Sequence, residues 1–209
     1  AQGGSAVRRA FATRWQGPSR MTTAQAAAYL GLAPATVQRL SQEFATSGGR
    51  AGLQRAGKGA RFFLGQDVHL FALRRAAAAH IRPILESIRR YAHARGVLLT
   101  PITLNFHCLT VAADHIRNSR FFAHAFHHQW AGPKSICMAP EIGLEPLATA
   151  AGITLHEVGH VMVDDHIEVS AEPAADQWVR ERLGLEIHYS PKTTVQYLDR
   201  PAMRALGLA

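Results

Sequence analysis

The chain has 209 residues, 47% of them apolar and 18% charged, a balance that suits one or two compact domains and excludes a disulfide-stapled miniprotein or a collagen-like chain. Its formal net charge of +8 hides a segregation: residues 1–95 carry 15 Lys and Arg against Glu43, Asp67 and Glu86, a net +12, whereas residues 96–209 carry 8 against 12, a net −4. A basic half attracts polyphosphate or an anionic surface, and an acidic half with clustered His, Asp and Glu suits metal binding or acid/base chemistry.

Residues 1–20 contain Gly, Ser and Arg and read as a basic flexible arm. Arg8, Arg9, Arg14, Trp15 and Arg20 leave no apolar core for a signal peptide, and nothing in the chain approaches the roughly 18 consecutive apolar residues of a membrane span. A soluble, cytoplasmic protein with no membrane partner is expected. Thr22 or Thr23 can cap a helix through Leu30, with Ala26, Ala27, Tyr29 and Leu30 supplying an apolar stripe, and Gly31 ends it. Pro34 suits the first turn of a second helix, continued over 35–44 with Val37, Leu40 and Phe44 at spacings of three and four. Leu53 and Arg61-Phe62-Phe63-Leu64, on either side of Gly57-Lys58-Gly59, predict two short strands with a basic tip. Residues 21–66 thus form one unit of two helices and a β-wing.

Asp67 can cap a helical linker over 67–95, in which Ile81, Leu85, Ile88 and Tyr91 share a face and Pro83 kinks or divides the helix. That stripe reads as an intrachain core, with homodimerisation its other possible use. Gly96 is the expected boundary to a second domain, 96–209. There, strands are expected at 97–109 and 135–139, a helix over 144–163 despite Gly152 and Gly159, and a second helix over 171–183 that stops at Gly184. A strand at 185–189 and a helical piece at 201–206 close an α+β domain. Cys108 and Cys137 lie in apolar runs and read as reduced core residues.

The most specific chemical signal is Thr154-Leu155-His156-Glu157-Val158-Gly159-His160. Two His four apart lie on one helical face and can share one ion, while Glu157, about 100° around from His156, can approach a ligand of that ion. A carboxylate follows in Glu172-Pro173-Ala174-Ala175-Asp176. On these two motifs the C-terminal hundred or so residues resemble the zincins, and among them the gluzincins. The separation of 12 residues from His160 to Glu172 is most similar to the compact ImmA/IrrE-type bacterial metallopeptidases. The resemblance implies Zn2+ held by His156, His160 and Glu172, with Asp176 accepting a hydrogen bond from the free ring nitrogen of a ligating His. Pro173 biases Glu172 toward the helix mouth. The rival ligand is His166, which has the metzincin spacing but follows Val163 where that family places a turning Gly.

Three protein ligands would leave an open position for water, from which Glu157 takes a proton as the catalytic base, and peptide hydrolysis is the expected reaction. His188, Tyr189 or Tyr197 could supply an oxyanion donor, and the sequence singles out none. His124, His127 and His128 near Trp130 read as a polar loop, with a second metal site as the alternative.

In the basic half, the run from Met21 to Leu40 resembles the helix-turn-helix of the MerR and excisionase-like winged-helix proteins. That resemblance implies DNA binding, with Ala35, Thr36, Gln38 and Arg39 turned to the major groove and Val37 and Leu40 packed inward. Arg50, Arg55, Lys58 and Arg61 of the wing would grip phosphates. A winged helix can also dock protein; the +12 of the basic half favours DNA. Together the two halves predict an N-terminal winged helix-turn-helix, a helical linker and a small zincin-like metallopeptidase domain. The expected function is a DNA-tethered zinc endopeptidase that cleaves a DNA-bound protein, either a repressor or a protein trapped on DNA. The alternative is a DNA-binding transcriptional regulator with a structural or metal-sensing zinc site and no hydrolase activity.

Overall fold

The structure, a computed structural model, describes residues 15–47, 52–57, 60–106, 123–126, 134–163, 172–191 and 195–209, with only the backbone of 124–126 and 172. It mixes helices with small sheets and forms two compact units, residues 1–75 and 76–209. The division falls inside a helix, whereas the sequence placed a boundary at Gly96. No helix among the described residues is long and apolar enough to cross a membrane.

In the first unit, β1 (Arg20–Thr22) leads directly into α1 (Thr23–Leu30). Thr22 caps α1 reciprocally: its Oγ1 accepts from the Gln25 amide at 3.2 Å while its own amide donates to Gln25 Oε1 at 2.9 Å, which satisfies two donors that a helix start leaves orphaned. Gly31 ends α1 at φ 62°, a left-handed conformation that costs glycine nothing. After a three-residue turn, α2 (Pro34–Thr46) starts with Pro34 at its first position, where a missing amide is harmless. Val37 faces inward and is fully buried with Met21, Ala26, Ala27, Leu53, Phe63 and Val68.

The wing differs from the sequence reading. Strand β2 (Phe62–Leu64) pairs antiparallel with β1, Met21 opposite Phe63, and residue 53 is not in a strand. The reason is local: the Leu53 amide donates to Leu40 O at 3.1 Å, so this backbone is docked on α2 instead of on a β-ladder. Gly52, at φ 86° and with a Cβ position 2.1 Å from Leu40 O, permits that approach.

Helix α3 (Gly65–Ala94) is continuous, with Pro83 inside it. Its later part belongs to the second unit, where Ala77, Ile81, Ile84, Leu85, Ile88 and Ala92 enter the main core. The Ile81, Leu85 and Ile88 stripe is thus buried within the chain, and the Tyr91 hydroxyl donates to Leu183 O at 3.1 Å.

The second unit holds a three-stranded sheet in the order β3 (Ile102–Asn105), β5 (Lys134–Met138), β4 (Ala123–Phe126). β5 runs parallel to β3 and antiparallel to β4. β4 falls where a polar loop was expected for His124; His127 and His128 lie outside the described residues. Cys137 is buried in β5, and Cys108 is outside the description. A 3-10 turn (Pro140–Leu144) then precedes α4 (Leu147–Val163). The sequence reading began this helix at residue 144, three residues early, and did not foresee the 3-10 turn. Glu145 separates them in extended backbone, φ −75° and ψ 150°, as its place before Pro146 requires.

The helix α4 is buried almost all round: every residue from Ala150 to Gly159 is covered, and so is Val161. Such a helix is held by core packing and not by an amphipathic pattern. Helix α5 (Glu172–Trp178) continues into a π-turn (Val179–Leu183) closed by left-handed Gly184. A short hairpin of β6 (His188–Tyr189) and β7 (Gln196–Tyr197) and the helix α6 (Arg200–Ala205), capped by Asp199, complete the unit.

Candidate metal centre

Two close approaches, both at glycines, place the elements around the motif of α4. A Cβ on Gly159 would lie 2.6 Å from Ala175 O, and one on Gly152 would lie 2.5 Å from the Tyr197 Cα. Any side chain at either position would force the backbones apart, so these glycines set how near α5 and β7 come to the helix. The Leu198 amide completes the second contact by donating to Ala148 O at 3.1 Å.

Helix periodicity then puts His156 and His160 on one face. Their rings are perpendicular, at 89°, and Nε2 of one lies 3.0 Å from Nε2 of the other. His156 is 2% exposed and Glu157 is 6% exposed; His160 is half-buried. From the opposite side of the His156 ring, Asp176 Oδ1 is 2.8 Å from Nδ1. A carboxylate only accepts, so Nδ1–H is the donor in this contact, and in the neutral imidazole that tautomer leaves the lone pair on Nε2.

That donor set fits a zinc ion. Two imidazoles bound tetrahedrally at about 2.05 Å place their nitrogens about 3.3 Å apart, and the observed 3.0 Å is within a few tenths of an ångström. Among the described residues no three His, Cys, Asp or Glu side chains gather as a full ligand set. Glu172 opens α5 at the backbone level, its side chain is outside the description, and His166 lies in the segment 164–171, also outside it. What the described residues bring together is thus two imidazoles, one of them hydrogen-bonded to Asp176.

Tyr189 occupies a place the sequence did not suggest. Its hydroxyl donates to Asp176 Oδ2 at 2.7 Å, on the Nδ1 side of His156. A hydroxyl has one proton to donate, and in this arrangement Tyr189 gives it to the carboxylate. No spacing rule links Asp176 to Tyr189 across the π-turn and the strand; only the docked hairpin does. His188 lies 3.7 Å from Asp199 Oδ2, and Tyr197 stands against the His188 ring with centroids 5.5 Å apart.

In the first unit, Gln38 and Arg39 are exposed on α2 beside exposed Ala35 and half-buried Thr36, and Arg61 is exposed before β2. Arg55 is directed inward: Nε donates to Ser41 Oγ at 2.8 Å, Nη1 donates to Ala60 O at 3.0 Å, and the guanidinium lies over the Phe63 ring. Arg50 and Lys58 are outside the described residues.

No protein-family model, no curated protein and no solved structure matches the chain.

Proposed function

We propose that the chain is a DNA-tethered, zinc-dependent endopeptidase acting on a DNA-bound protein. One observation carries the reading: two Nε2 atoms 3.0 Å apart on a buried helix, with Asp176 fixing the tautomer of His156 and buried Glu157 next to it in sequence. His156 and His160 would hold the ion, with Glu172 as the third ligand. When bound, zinc supplies Lewis acidity, lowering the pKa of water to about 7 and polarising a carbonyl. Glu157 takes the proton of the attacking water and delivers it to the departing amine as the C–N bond breaks. Asp176 holds the His156 ring in place throughout.

Support for the DNA arm comes from the net +12 of residues 1–95 and from the exposed Gln38 and Arg39 on α2. On this reading β1, α1, α2 and β2 act as a winged helix-turn-helix, with α2 as the groove-reading helix. Tethering raises the local concentration of other DNA-bound proteins, so a peptidase of low intrinsic affinity still gains selectivity.

The test is Glu157→Gln in the full chain. It should retain zinc and DNA and lose cleavage of DNA-bound substrate proteins by about 10²–10⁴-fold. A wild-type chain that binds zinc and DNA but cleaves nothing, with Glu157→Gln indistinguishable from it, would instead support a regulator with a structural or sensing site.

A further inference from the structure

We infer that Tyr189 is a positioning residue for the candidate metal site, acting through Asp176 on His156; this rests on the zinc reading above. The three side chains come from three elements, β6, α5 and α4. Tyr189 Oη donates to Asp176 Oδ2 at 2.7 Å, Asp176 Oδ1 accepts a hydrogen bond from His156 Nδ1–H at 2.8 Å, and His156 Nε2 faces His160. The hydroxyl also lies 3.5 Å from His156 Nδ1, so it closes over the same edge of the ring that the carboxylate holds.

A carboxylate with one oxygen on an imidazole can still rotate about its Cβ–Cγ bond and swing out of the ring plane. A donor on the second oxygen removes that freedom, and a charge-assisted hydrogen bond to a phenol is among the stronger ones available. The consequence appears at the far side of the ring: with Nδ1–H fixed in direction, the Nε2 lone pair is fixed too, and less ordering is left for a metal to impose. Tyr189 is 41% exposed, so burial does not account for an oriented hydroxyl there. The hairpin that carries it is itself pinned, through Leu198 to Ala148 and through the close approach of Tyr197 to Gly152.

The experiment is a double-mutant cycle on zinc affinity, measured in the full chain by competition with a chromophoric chelator. Tyr189→Phe should weaken zinc binding on the order of 10-fold, while the metal-free protein still unfolds in a single cooperative transition. Asp176→Asn should also weaken it, and adding Tyr189→Phe to Asp176→Asn should cost little more, because the tyrosine acts only through the carboxylate. Equal zinc affinity in Tyr189→Phe and wild type overturns the inference and leaves the zinc reading standing. Full additivity of the two substitutions also overturns it. A wild-type chain that does not bind zinc removes both.

Discussion

Gly159 and Ala175 stand back to back where α4 meets α5, so close that a methyl group on the glycine would lie 2.6 Å from the alanine carbonyl oxygen. Asp176 is the next residue, and its carboxylate reaches His156. The distance between two backbones therefore governs a hydrogen bond to the first histidine of the motif.

Gly159→Ala tests this. In an ordinary helix interior the change would stabilise by about 0.8–1 kcal/mol. Here the forced separation should outweigh that gain, with a net loss of about 1–3 kcal/mol by denaturant unfolding and weaker zinc binding. A more stable variant with wild-type zinc affinity would contradict the packing argument.

Stripping metal with a chelator should lower the melting temperature. With zinc about a hundredfold above its Kd, linkage contributes about 2.7 kcal/mol, which for a chain of this length is roughly 5–10 °C. His160→Ala should melt at the same temperature with and without zinc. Identical melting of the wild type in both conditions would remove the metal site.

The arginines of the first unit should divide by role. Arg39→Ala should weaken duplex binding and reduce the slope of log affinity against log salt by about 0.9, the value of one phosphate contact. Arg55→Ala should leave that slope alone and lower stability by about 1–3 kcal/mol, since its bonds to Ser41 and Ala60 are internal. If Arg55→Ala changes the slope and Arg39→Ala does not, the binding face has been placed on the wrong side of the unit.

Thr22→Ala removes one half of the capping box on α1 and should cost about 1 kcal/mol, within a range of about 0.5–2. Chemical denaturation reads it directly, and no change in midpoint would show that the cap is not used.

Periodicity and caps made much of the architecture legible. Two His four apart share a face in any helix, Thr22 is one of the two caps expected for α1, and Gly31 and Gly184 end the elements they were expected to end. What escaped depended on partners distant in sequence. Phe62–Leu64 is visibly a strand, but nothing local says that it pairs with Arg20–Thr22. β7 is two residues long, too short for any alternation to register. Gly152 and Gly159 read as interruptions that a helix tolerates, because how near another backbone comes is not written in the residues beside a glycine. The link from Tyr189 to Asp176 was hidden for the same reason.

The imidazole pair is unequally open: His156 is sealed at 2% exposure, while His160 is half-buried. On the zinc reading, and among the described residues, a metal ion would have to arrive over the His160 rim. Bulk introduced at that rim should then slow the entry of metal, so the kinetics of uptake would reveal the direction of access.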